Sequence, residues 1–219
     1  MNNRWTPQRH DARWWTSRFV RGAYATRPCS SCSTGCRATF CAGSFPLAGV
    51  RRRGAALGHG EYMMQPSVEG RMLQALAISP ADTILEIGTG SGYVTACLAQ
   101  LGASVVSVDI HDDFVAAAGK KLEAQGIANV TLQTLDACRE LPDGPFDVVA
   151  ITGSLPEMDP RMLDAVKPGG RLFAVIGEDP VMEACLYRRG DGNDWQTTGL
   201  FETSLKALRH VRMPSRFSF

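Results

Sequence analysis

The chain lacks any uninterrupted apolar run long enough to cross a membrane, which excludes a membrane-spanning helix and a membrane partner. It also lacks evenly spread charge. Up to Gly60 there are ten Arg, no Lys and a single acid, Asp11, giving that stretch +9 and leaving −8 for the rest of a chain whose net charge is +1. Paired cysteines are missing too. Of seven, Cys29, Cys32, Cys36 and Cys41 crowd into the basic segment, and Cys97, Cys138 and Cys185 stand singly. Scattered, odd-numbered thiols without a secretory signal read as the reduced cysteines of a cytoplasmic protein. A metal is not expected, because the crowded four have no second CxxC half to complete a site. Aromatic interleaving is absent around Arg209, His210 and Arg212, so this small basic patch does not suggest a nucleic-acid partner. What remains is a chain with 44% hydrophobic residues, sufficient for one ordinary domain with an appendage.

From Val68 onward, β-branched runs alternate with stretches at helical spacing. Ser67–Leu76 predicts a helix with Ser67 as N-cap. Strands are expected at 83–87, 104–110, 130–135, 146–152 and 171–176. Helices are expected at 92–101, at 112–125 with Gly126 as the stop, and at 160–166. Apolar strands separated by helices indicate an α/β fold with a parallel sheet covered on both faces. The end differs: 181–188 and 195–202 flank the turn-rich Gly190–Asp194 and predict an antiparallel hairpin. Cys97 and Cys138 are expected in the core, His111 on the surface at a helix start, and 200–205 as a structural strand end.

The chemistry lies in Leu85-Glu86-Ile87-Gly88-Thr89-Gly90-Ser91-Gly92, a turn between a strand and a helix. Gly88 and Gly90 allow a sharp turn without a Cβ, and the helix start offers free amides. A dinucleotide fingerprint would place its third glycine one position later. The G-x-G-x-G spacing, with Glu86 ahead of it to face a cationic methionine moiety, favours S-adenosyl-L-methionine. Asp109, followed by Ile110, ends the next strand where a carboxylate can accept from both ribose hydroxyls. Asp136 and Ala137 follow the third strand and are placed to meet the adenine edge. Thr152, Gly153 and Ser154 end the fourth strand at the same rim and read as a pocket lip.

Together these residues resemble the protein-L-isoaspartate O-methyltransferase family, from Gly58 to the C-terminus, roughly three quarters of the chain. The most particular piece is Ile84 to Ala96, with Gly-Ser-Gly-Tyr followed by Thr-Ala. Phe146 to Gly153, Val166 to Leu172, Gly58-His59-Gly60 and Gln65-Pro66 add support. The resemblance implies a Rossmann-like class I methyltransferase, with a mostly parallel seven-stranded sheet and a C-terminal antiparallel hairpin. It implies S-adenosyl-L-methionine as methyl donor and isoaspartyl carboxylates in damaged proteins as acceptors, in a repair reaction. Such an acceptor is already anionic, so positioning and exclusion of water can provide much of the acceleration. Met64, Gln65, Pro66 and Thr152 are the substrate-side candidates. Met64 departs from the family's pattern, standing where Thr-Ile-Ser-Gln-Pro has a hydroxyl, and a thioether donates no hydrogen bond. The alternatives are a class I methyltransferase with another acceptor, or a catalytically impaired adenosylmethionine-binding protein.

Residues 58–219 are thus expected to form the methyltransferase domain, and 1–57 an atypical basic segment. That segment reads as a transit peptide, or as translation out of frame, and in the latter case it is expected to be disordered. Shifted by two bases over Trp14–Ala38, and by one over Thr39–Leu57, its codons permit strings that look like the family's N-terminal helices.

Overall fold

A computed structural model describes residues 55–212 except Asn193. The expectations placed on Cys29–Cys41, on a transit peptide and on the alternative frames lie outside the described residues. A two-stranded ribbon comes first, β1 (Ala56–Gly58) antiparallel to β2 (Glu61–Tyr62). It crosses the expected boundary between residues 57 and 58. Helix α1 (Pro66–Leu76) follows, then β3 (Thr83–Ile87), α2 (Tyr93–Leu101), β4 (Ser104–Asp109), α3 (Asp112–Ala124) and β5 (Val130–Thr134). The chain continues with β6 (Phe146–Leu155), α4 (Pro160–Asp164), β7 (Val166–Glu178), β8 (Val181–Arg189) and β9 (Trp195–Glu202).

Strands β3 to β9 form one sheet in the order β5-β4-β3-β6-β7-β8-β9. The first five in that order are mutually parallel, and β8 runs antiparallel to both β7 and β9. The expected α/β fold is therefore present. It has two antiparallel pairings at its end, where the sequence suggested one.

Alternation along each strand divides the core. Ile84, Val148, Ala150, Phe173 and Val175 face α1 and α2, packing with Val68, Met72, Leu76 and Leu98. Leu85, Ile87, Val149, Ile151, Leu172 and Ala174 face the other way, onto Met162 and Val166. Phe173 and Met72 are completely buried, and truncating either to alanine would cost about 2–5 kcal/mol.

Charged side chains tie the two halves together. Arg171 donates to the Leu76 and Ala77 carbonyls at the end of α1 and pairs with Asp82 at 2.6 Å. Asp147 on β6 accepts from the Thr83 amide and hydroxyl and from Lys167. Burial alone would raise this carboxyl, but the hydrogen bonds from Lys167 and Thr83 outweigh it and hold the group at about 2.

Several boundaries differ from expectation. Helix α1 starts at Pro66, with Gln65 rather than Ser67 at the N-cap. Proline at N1 arrives with its φ already helical and gives up an amide that has no partner there anyway. Helix α4 stops at Asp164 and β7 begins at Val166, because Lys167–Gly170 form a bulge between Phe146↔Val166 and Val148↔Arg171 rather than a turn before the strand. Among the described residues no helix is long and apolar enough to cross a membrane.

Candidate active site

Parallel sheets of this type place ligands beyond the carboxyl ends of their strands, near the point where chain order reverses. Here that point lies between β3, from which the chain runs outward through β4 and β5, and β6 on its other side. A cleft opens there, enclosing about 740 Å³ of empty space with the solvent at its mouth included.

One wall is the glycine-rich turn. Gly88 has φ +100°, and a Cβ on it would lie 2.2 Å from Thr152 Oγ1. The turn is stapled from both sides. The Thr152 hydroxyl reaches the carbonyls of Ile87 and Gly88 at 2.9 and 2.8 Å, and the Gly88 amide donates to the Val108 carbonyl. Asp109, at the end of β4, accepts from the Gly90 amide through Oδ2 (2.8 Å) and from the His111 amide through Oδ1 (3.0 Å). Each oxygen keeps lone pairs for a further donor. Beyond β5, Asp136 Oδ1 accepts from the Cys138 amide, and Oδ2 meets His210 Nδ1 at 2.7 Å.

Of the sequence-predicted cofactor residues, Gly88, Gly90, Asp109, Ile110, Asp136 and Ala137 line this cleft, as does Thr152. Thr89, Ser91 and Gly92 are not among its lining residues. Thr89 is buried behind the turn, its hydroxyl 2.7 Å from Ser107 Oγ, and Gly92 caps α2 at φ +80°.

Glu86 is a correction. It shares a strand face with Ile84, beneath α2, and is fully buried away from the cleft. Register sets Ser107 of β4 directly beside it, and Ser107 and Thr95 both donate to Oε2, at 2.6 and 2.5 Å. Oε1 has no partner. Burial pushes this carboxyl up to about 8, against the pull of those two hydroxyls. It stands as a buried strut under the turn and does not line the cleft, where the sequence placed it to face a cationic ligand. Glu69 of α1 is nearly as deeply buried and is also raised to about 8, by burial first and by Glu86 second.

Met64 is likewise displaced from its expected role. It is 5% exposed and belongs to the core under α1, with Val68 and Met72, and it does not line the cleft. Gln65 and Pro66 begin α1 and also lie outside the lining. The opposite wall is one the sequence did not reveal. It is made by Leu57, Glu61 and Tyr62 from the ribbon and by Leu205–Arg209 after β9. Glu61 accepts from Lys206 Nζ at 2.9 Å and from Arg209 Nε at 2.7 Å, and those cations also bind the Gly60 and His59 carbonyls.

The expected basic patch is thereby divided, Arg209 held by Glu61 and His210 by Asp136. Cys97 is buried as expected, whereas Cys138 is half-buried and lines the cleft. His111 also lines it, half-buried, at the N-cap of α3. Leu205, expected in a structural strand end, faces the cleft as well.

Comparison with known proteins agrees with this geometry. The profile of the protein-L-isoaspartate(D-aspartate) O-methyltransferase family matches residues 32–203. A protein-L-isoaspartate O-methyltransferase of Koribacter versatilis (strain Ellin345) is 35% identical over 142 residues, 64% of this chain and 64% of its own length. One from Ruegeria sp. (strain TM1040) is 34% identical over 153 residues, 69% of each. The chain thus spans about two thirds of the length of these relatives. Among solved structures, a Plasmodium falciparum protein assigned to the same enzyme class, in complex with S-adenosyl-L-homocysteine, has TM-score 0.64 at 18% identity, over 73% of this chain and 81% of its own. That likeness concerns the fold. With the family profile covering more than half of the sequence, the chain belongs to the protein-L-isoaspartate(D-aspartate) O-methyltransferase family.

Proposed function

We propose that this protein transfers a methyl group from S-adenosyl-L-methionine to the carboxylate of isoaspartyl residues in damaged proteins, as a cytoplasmic repair enzyme. The observation that carries the reading is the Asp109 carboxylate. Two backbone amides hold it at the end of β4, beside a glycine turn with no room for a side chain at Gly88. The cradle fits the donor: Gly88 and Gly90 would hold its methionine end, Asp109 its ribose, and Asp136 with Ala137 its adenine. When bound, the donor supplies an electrophilic methyl on a sulfonium.

The chain's own residues do the rest. An isoaspartyl carboxylate is an anion near neutrality, so no general base is required, and none is needed among the cleft residues. The acceptor's path lies along the second wall, where Lys206 and Arg209 outnumber Glu61 and leave a net positive lip. Burial alone would raise the Glu61 carboxyl, but hydrogen bonding to both cations outweighs it and lowers the group from its ordinary value. This wall, rather than Met64, is the place for acceptor recognition, and the thioether in the core does not count against an anionic acceptor.

Incubation with methyl-labelled S-adenosylmethionine tests the proposal. Label should pass to an isoaspartyl peptide and not to the same peptide with ordinary aspartate. Transfer only to other acceptors would overturn the substrate assignment. Binding of the donor without any transfer would favour an impaired cofactor-binding protein.

A further inference from the structure

Beside the cleft, three side chains from two separate elements converge without a part in the reaction above. His59 sits in the turn of the ribbon between β1 and β2, and His111 and Asp113 begin α3. The two imidazoles are stacked, with ring centroids 4.1 Å apart and planes within 8°, and the Phe114 ring meets both edge-on. His59 Nε2 lies 3.1 and 3.0 Å from the two carboxylate oxygens of Asp113. One potential ligand atom from each of the three residues lies within 4.8 Å of the others.

An ordinary surface ion pair would account for His59 and Asp113. It does not account for His111, whose Nε2 is buried and has no hydrogen-bond partner among the described residues. A buried ring nitrogen left bare costs free energy that the surrounding fold must offset. The stack keeps two imidazoles and a carboxylate within reach of one another, and turning the His111 ring out of the stack would aim its nitrogen at the same point as the other two donors.

We propose that His59, His111 and Asp113 form a binding site for a divalent ion of the zinc class. Two imidazole nitrogens and one carboxylate oxygen are the donor set that zinc accepts, and a water would fill the fourth position. The ion would replace the direct contact between His59 Nε2 and the Asp113 carboxylate. Tetrahedral ligands at ~2.0–2.2 Å from a metal stand roughly 3.3 Å apart, so the His59–Asp113 spacing needs little adjustment, while His111 has to close in and turn its ring out of the stack. Binding would clamp the ribbon turn, whose His59 carbonyl already holds Arg209, to the N-cap of α3, His111, two residues after Asp109. The site would therefore brace the rim of the cleft without touching the transferred methyl group. Sequence spacing could not suggest it, because His59 and His111 lie 52 positions apart in a chain with four histidines.

The test uses the full chain, freed of metal with a chelator and titrated above neutrality with zinc by calorimetry and with cobalt by visible absorption. Saturable binding is expected, with a cobalt spectrum free of thiolate charge-transfer bands. It should persist when Cys29, Cys32, Cys36 and Cys41 are all replaced by serine. His111→Ala and His59→Ala should each weaken binding at least about tenfold, the lower end of what even a supporting partner contributes. Circular dichroism checks that each variant is folded. Should a histidine variant fail to fold, the exposed Asp113→Asn carries the same expectation. No saturable binding would overturn the site, as would binding lost with the four cysteines or left unchanged by all three ligand variants.

Discussion

The two walls of the cleft are made in opposite ways. The β3–β4 wall comes from short, nearly contiguous pieces: the turn at Gly88–Gly92, Asp109 a strand later, and Asp136 after the next. The facing wall joins residues almost a chain apart, with Glu61 bound to Lys206 and Arg209 across 145 and 148 positions. The first is held by backbone amides and a sheet ladder. The second is held by partly exposed ion pairs, each worth about 0–1 kcal/mol. The difference teaches that donor binding should be robust and acceptor binding adjustable, and four variants would break or sharpen that contrast.

The largest effect is expected at Asp109. Asp109→Ala removes the acceptor proposed for two ribose hydroxyls and the anchor of the Gly90 amide, and should weaken S-adenosylhomocysteine binding in calorimetry at least about 100-fold. A change of less than a few-fold would remove the basis for the donor site.

Behind the same wall, Glu69 and Glu86 should make stability depend on pH. Both carboxyls are raised from 4.5 to about 8 by burial, so the folded state favours their protonated forms. Their contribution is complete below about 4.5 and is lost as the pH climbs through about 8. Glu69→Gln should flatten this slope. Relative to the parent it should gain roughly 2–4 kcal/mol between acid and alkaline denaturant titrations. A parallel pair of stability curves would contradict the assignment.

Gly88→Ala should cost about 2–3 kcal/mol of stability, from strain at φ +100° and a clash with the Thr152 hydroxyl. Thermal unfolding measures the loss, and an unchanged midpoint would mean that the turn can relax.

The smallest effect should come from the adjustable wall. Arg209→Ala is expected to raise the KM for an isoaspartyl peptide about tenfold, while donor affinity changes little and stability drops by less than about 1 kcal/mol. If donor affinity fell as far as with Asp109→Ala, the two walls would not be separable.

The legible part of this protein was whatever rests on local pattern. The order of strands and helices, the helix stop at Gly126 and the final β8–β9 pair followed from periodicity and turn chemistry. Asp109 and Asp136 were findable because strand ends fall at countable distances from a glycine turn. The same method misplaced Glu86 and Met64. Proximity to a motif says nothing about which side of the sheet a side chain takes, or whether a helix has already closed over it.

Sequence alone determined the class of fold, the family likeness and the glycine-turn wall of the cleft, because strand alternation, helical period and a tight turn are settled by neighbours along the chain. Tertiary structure alone decided the second wall, the burial of the two glutamates and the meeting of His59 with His111. Those depend on sheet register and on segments packed from far away, where through-space distance bears no relation to separation along the sequence.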